Sequence, residues 1–307
     1  MTLQQLQYIV AVNKHRHFVK AAQECGVSQP TLSAMVQKLE QELDVKIFDR
    51  DKSPIEPTEI GLKIISQAET SINDVNRIQE IILSEKSTMQ GNLRIGVAPT
   101  IAPYLVPQFI TRFRLAHKEV ELRISEIISE NIESDLLTSD IDIGILSTPF
   151  KRSEFLEIPL YNERFLAYFS PQNPCQVNPL TPENMPTEKL WVLMEGKCAT
   201  SEVFNFCKMQ SLGETSYKAG SIDTLIRIVD VNGGNTVIPE LHTQFLTPEQ
   251  QRQLTLIESP DAQREVSIII RKDYVKEKML NAVVNIIKQI IPEKMLVPKI
   301  RKFKVRL

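Results

Sequence analysis

Long hydrophobic runs are missing from this chain: no apolar stretch reaches the roughly 20 residues that span a bilayer. The first residues, MTLQQLQYIVAVNKHRHF, carry neither a basic leader nor a signal-type cleavage site, so a cytoplasmic chain without a membrane partner is expected. Cysteine is scarce as well. Cys25, Cys175, Cys198 and Cys207 are too few for a disulfide scaffold in 307 residues, and a reducing compartment keeps them as thiols unless something specific oxidises them. A strong charge of either sign is also absent. The formal net charge of -2 gives no support for a nucleic-acid partner, although a few local Lys and Arg side chains can still meet phosphate. His15, His17, His117 and His242 lack metal-ligand spacing, no Ser-His-Asp order or carboxylate pair stands out, and Gly96 in GVAPT belongs to no dinucleotide fingerprint. Neither a cofactor, a metal nor enzymatic turnover is expected.

What is present is the composition of an ordinary globular chain, 42% hydrophobic and 24% charged, long enough for two or three domains. The stretch Phe18 to Leu43 organises the rest. Phe18, Ala21 and Ala22 give a short apolar-faced helix, Gly26 a turn, and Ser28 an N-cap with Pro30 in the first turn of a second helix. Leu32, Val36, Leu39 and Leu43 form its buried stripe. The other face carries Gln29, Thr31, Ser33 and Lys38, short polar or basic groups that suit a DNA major groove. This spacing predicts a helix-turn-helix. Leu3, Leu6, Ile9 and Val10 predict a helix beneath it, and DVKIFDRDKSPIEPT predicts a two-stranded wing with Arg50 and Lys52 near its tip as phosphate contacts.

Thr58 caps a predicted helix that runs to about Glu85, roughly 40 Å long. Gly61, Ile65, Ala68, Ile72, Val75, Gln79 and Ile82 recur at steps of four and three, the seam of a paired helix, for which a second copy of the chain is the simplest partner. After the hinge STMQGN the pattern becomes strand, helix, strand. It predicts two α/β lobes joined by two crossings, the first about 91–163 and 266–295, the second about 164–265, with a second unit that begins near Phe165 and includes LAYFS. The expected domains are 1–58, 59–87 and 88–307.

Two places in the lobes carry chemistry. The loop VAPTIAPYLVP follows a strand and enters a helix, where backbone N–H groups and the Thr100 hydroxyl suit an anion or polar oxygen. In EGKCATSEVFNFCK, Cys198 sits between a strand-like segment and a helix start, beside Lys197, and both features favour a thiolate open to peroxide. Nine residues on, Cys207 lies inside that helix. Intact helix would hold the sulfurs roughly 10 Å apart, so a bond between them requires unwinding. A pair of buried or inert thiols is the alternative reading. Cys25 is expected in the core and Cys175 as an exposed loop thiol.

Together, AAQECGVSQPTLSAMVQKLEQELDVKIFDR with PTEIG, the long helix and GNLRIGVAPTIAPYLVP resemble the LysR-type transcriptional regulators over nearly the whole chain. The resemblance implies an N-terminal winged helix-turn-helix, a long linker helix and a C-terminal two-lobed α/β domain like the periplasmic binding proteins. EGKC before the cysteine pair and SIDTLIRIVDVNGGNTVIPE after it are similar to the family's hydrogen-peroxide sensors. That similarity implies Cys198 as peroxidatic thiol, Cys207 as resolving thiol and a cellular dithiol as reductant. It also implies a homodimer or homotetramer that binds promoter DNA and activates antioxidant genes through RNA polymerase. Thr100 is retained, while Ser129 replaces a Thr, Lys197 a His and Thr200 an Arg. Ser28, Gln29, Pro30, Thr31 and Ser33 occupy the family's reading helix, with Gln29 and Ser33 at bases and Thr31 and Arg50 nearer phosphate. A family member that binds a small effector between its lobes remains the second reading.

Overall fold

A computed structural model describes residues 1–52, 54–85, 89–148, 153–192, 221–259 and 262–302. Its contacts gather into two units, one over Met1–Glu85 and one over most of the remaining chain. Among the described residues no helix is long and apolar enough to cross a membrane.

The first unit begins with α1 (Leu3–His15), whose Thr2 and Gln5 form a reciprocal capping box. Then come α2 (Phe18–Glu24), a turn in which Gly26 takes φ +65°, and α3 (Gln29–Leu43) with Ser28 as N-cap. A glycine suits that turn because the left-handed region disfavours a Cβ. Leu32, Val36 and Leu39 point into a core with Tyr8, Ile9, Val12, Ala21, Ala22, Ile47 and Phe48. Leu43, expected to extend this stripe, is exposed: it is the final residue of α3, which ends on the left-handed Asp44.

Strands β1 (Phe48–Asp49) and β2 (Glu56–Pro57) pair antiparallel as the wing. Thr58 starts α4 (Glu59–Glu85), its hydroxyl accepting the Gly61 N–H at 3.0 Å. A Cβ on Gly61 would lie 2.0 Å from the Ile47 carbonyl oxygen, which explains a glycine where α4 crosses the chain before β1. The heptad seam divides. Gly61, Ile65 and Ala68 are buried in the winged unit, whereas Val75 and Ile82 stand exposed at 42% and 54%, as does Ile78 beside the seam at 59%.

In the second unit β3 (Gly91–Val97), β4 (Val120–Glu126) and β5 (Ile143–Thr148) run parallel, with α5 (Ala102–Ala116) and α6 (Ser129–Leu137) as the crossovers. β6 (Phe155–Phe169), β7 (Leu190–Trp191), β8 (Asn235–Pro239), β9 (Leu254–Leu256) and β10 (Gln263–Arg271) follow. The sheet order is β4-β3-β5-β10-β6-β8-β7, with β9 also beside β6. Leu166 to Phe169 of the LAYFS segment form the end of β6, a continuous strand of 15 residues. Its first part pairs with β10 and its last residues with β8 and β9, so one strand serves both lobes. Pro159 does not break it. The register shifts there, with Val266 opposite Tyr161 and Ser267 opposite Pro159, and such a bulge tolerates a residue without an N–H.

The first lobe packs Leu93, Ile95, Phe109, Phe113, Ile145, Ile268, Leu280 and Ile287 into one core. In the second lobe β6 alternates: Phe165, Ala167 and Phe169 face one cluster, while Tyr168 faces Ile222, Leu225 and Val229 of the helix Ile222–Asn232. Cys175 is half-buried rather than exposed, because Val177 packs beside it and its thiol donates to the Val177 carbonyl at 3.3 Å. Cys25 lies half-buried against the winged core, where burial pushes its thiol up.

Candidate functional site

The DNA-facing candidates collect at the start of α3. Gln29, Pro30, Thr31 and Lys38 are exposed and Ser33 is half-buried, whereas Leu32, Val36 and Leu39 are buried behind them. The two sets separate because a 3.6-residue repeat keeps the polar and apolar positions on opposite faces. Ser28 accepts the Thr31 N–H at 3.3 Å, and the two hydroxyls lie 2.8 Å apart. Ser28 therefore works first as a cap. Arg50 and Lys52 are both paired: Arg50 donates to Glu40 of α3 at 3.0 Å, and Lys52 to Glu56 within the wing at 2.6 Å.

The second candidate site lies where β6 and β10 run side by side near the change of lobe. Their register sets Glu163 directly opposite Arg264, and both side chains are buried. Arg264 donates from Nε to Glu163 Oε2 at 2.9 Å and from Nη1 to Thr100 Oγ1 at 3.0 Å, with Nη2 3.3 Å from the Thr100 carbonyl. Glu163 Oε1 accepts the backbone N–H of Leu241 at 2.8 Å, from a 3₁₀ segment of the second lobe. Its Oε2 also accepts from the Tyr104 hydroxyl of α5 in the first lobe at 3.2 Å. A buried ion pair of this kind is tolerated when further hydrogen bonds help satisfy both groups, and Thr100, Leu241 and Tyr104 contribute them here.

Tyr104 and Tyr161 complete the cluster, their hydroxyl oxygens 2.6 Å apart. Burial, reinforced by the Glu163 charge, pushes both phenols far above their usual range, so they act as neutral donors. Thr100 is buried and does not cap α5, contrary to the usual use of a Thr before a helix. Its oxygen accepts from Arg264, which leaves the hydroxyl hydrogen for a further acceptor. Ser129, buried at the start of α6, is the other expected hydroxyl. Lys197, Cys198, Thr200 and Cys207 lie outside the described residues.

Nearby, His242 is fully buried with Nε2 3.2 Å from Asp223 Oδ1 and no partner at Nδ1. Burial holds its pKa below the usual imidazole value, against the opposing pull of Asp223. His117 closes α5, half-buried with its ring 4.9 Å from Phe113. No group of His, Cys, Asp and Glu among the described residues is arranged to hold a metal. The sequence reading missed Glu163, Arg264, Tyr104 and Tyr161. Glu163 and Arg264 are 101 residues apart, and only the antiparallel register joins them.

Residues 86–291 match the model of the LysR substrate binding domain, and residues 3–62 match that of the bacterial regulatory helix-turn-helix protein, lysR family. The chain belongs to the LysR family. This LysR-family chain is 31% identical over 277 residues to the DNA-binding transcriptional dual regulator OxyR of Escherichia coli K12, covering 88% of this chain and 90% of that one. It is 29% identical over 273 residues to a hydrogen peroxide-inducible genes activator of Haemophilus influenzae, covering 88% and 91%. A full-length OxyR cysteine-to-aspartate variant from Pseudomonas aeruginosa shares its fold with a TM-score of 0.78 at 27% identity, over 97% of this chain and 98% of that one. The chain is thus a LysR/OxyR-type DNA-binding transcriptional regulator rather than an enzyme, with a winged helix-turn-helix ahead of a domain like the periplasmic binding proteins.

Proposed function

We propose that this regulator senses hydrogen peroxide through Cys198 and Cys207 and controls antioxidant genes. The observation that carries the reading is the pair itself, set in EGKC and FCK, in a chain whose relatives include several named hydrogen peroxide-inducible genes activators. The Cys198 thiolate attacks one peroxide oxygen, the O–O bond breaks, and hydroxide leaves a sulfenic acid behind. The Cys207 sulfur then attacks the Cys198 sulfur. Its proton and the sulfenic hydroxyl depart as water, and a disulfide remains; a cellular dithiol reverses it by exchange. Thr100, oriented by Arg264, and Ser129 serve as hydroxyl donors toward peroxide, and Lys197 supplies the local cation that favours thiolate. Thr200 stands where the sensors carry Arg, and Arg264 supports the reading as a guanidinium reaching Thr100 from another strand.

The DNA element in this proposal is Ser28 to Lys38, with Gln29 and Ser33 at base edges and Thr31 and Lys38 toward phosphate. Two copies present paired readers to promoter DNA, and a dimer or tetramer then contacts RNA polymerase. Thiol-trapping mass spectrometry before and after a stoichiometric peroxide pulse tests the sensing step. A rapid 198–207 disulfide, abolished by C198S, is expected. Cysteines that stay free while bulk thiols oxidise would leave the family assignment and replace the sensor by a regulator with a small effector.

A further inference from the structure

The wing is bolted to the reading helix through one carboxylate. Glu40, on α3, accepts the backbone N–H of Ile47 at 2.8 Å and of Phe48 at 3.2 Å on Oε1, and the Arg50 guanidinium at 3.0 Å on Oε2. The Glu40 side chain is only 11% exposed, so it sits where charge interactions are weakly screened. The Arg50 guanidinium also lies over the Phe18 ring, 5.3 Å from its centroid, which ties the wing to α2. Acidic groups dominate the surroundings. The groove between α3 and the wing is lined by the carboxylates Glu40, Asp44, Asp49 and Asp51 against the cations Lys46 and Arg50.

We propose that Glu40 withholds the Arg50 guanidinium from DNA phosphate, which makes Glu40 a specificity-determining residue that lowers the sequence-independent affinity of the reader. The reasoning is electrostatic. Phosphate contacts by Lys and Arg supply essentially all non-specific affinity, and each released counterion adds to it regardless of sequence. Moving Arg50 onto a phosphate would strip Glu40 of its cation and leave a largely buried carboxylate facing a polyanion. Keeping the pair leaves the polar face of α3 as the main contact, and that face reads bases. Arg50 thus sets the wing's position rather than serving as a phosphate ligand, a revision of its expected role.

The test uses the full chain and a 30-bp random-sequence duplex, with binding followed by fluorescence anisotropy across a salt series. In E40Q the side-chain oxygen still accepts the Ile47 and Phe48 N–H groups, while the amide turns donors toward Arg50 and releases it. E40Q is expected to bind this duplex roughly tenfold more tightly per subunit at 0.1 M salt, with a log-log salt slope steeper by about 0.9. R50M, which keeps an alkyl chain on Phe18, is expected to leave the wild-type slope unchanged. E40Q/R50M should return to the R50M values. A shallower slope in R50M overturns the proposal, because Arg50 would then already be on phosphate in the wild type. An unchanged or shallower slope in folded E40Q overturns it as well, and if E40Q fails to fold the R50M slope decides alone.

Discussion

At the scale of single residues, the buried charges and half-satisfied groups govern how the protein responds to its surroundings. His242 is the clearest. Its imidazole is inaccessible, its Nδ1 has no partner, and burial depresses its pKa. Below the ordinary value near 6.5 the unfolded chain takes up a proton that the folded chain resists, so stability is complete above that pH and declines as pH falls through it. Asp223 opposes part of the depression and the Glu163 charge adds to that opposition, while Arg264 works with burial. The thermal midpoint is expected to fall between pH 7.5 and 5.5, and H242Q should flatten part of that fall; scanning fluorimetry across the pH series measures both. The Ser28 cap was legible at this scale because a cap needs only local spacing. Glu163 was not, since a charge inside a strand pattern reads as surface until its register partner is known.

At the scale of elements, the long helix α4 does two jobs with one sequence pattern. Its first turns complete the winged core through Gly61, Ile65 and Ala68, and its later turns leave Val75, Ile78 and Ile82 on one side without cover inside their own unit. The heptad spacing was visible in the sequence; its division was not, because buried and exposed seams have the same period. A second α4 is the expected cover. The I78S/I82S variant should shift the chain from dimer toward monomer in sedimentation velocity at low micromolar concentration, with the winged core still folded by circular dichroism. A monomer in the wild type under the same conditions would remove this role. The wing was legible through its Pro-containing turn, whereas the continuity of β6 from one lobe into the other was not, because it is set by pairing with β10, β8 and β9, all distant in the chain.

At the scale of the whole molecule, the two lobes share charge as well as chain. Glu163 takes a hydrogen bond from Tyr104 in one lobe and from the Leu241 N–H in the other, and Arg264 anchors Thr100 beneath it. Removing one partner strands a buried charge. R264M is expected to cost about 3–5 kcal/mol, read from the denaturant midpoint, with a much smaller loss in E163Q/R264M because neither charge is then left alone. Equal losses in the single and double variants would mean that the pair acts through packing. The two-lobed layout was legible from the alternation of strands and helices, yet the contacts that set its chemistry join positions far apart in the chain, and nothing in local pattern reports them. The continuity of β6 ties the two lobes together mechanically. Its first part is hydrogen-bonded to β10 and its last residues to β8 and β9, so a rotation of one lobe against the other has to bend or twist a paired strand rather than swing a free loop.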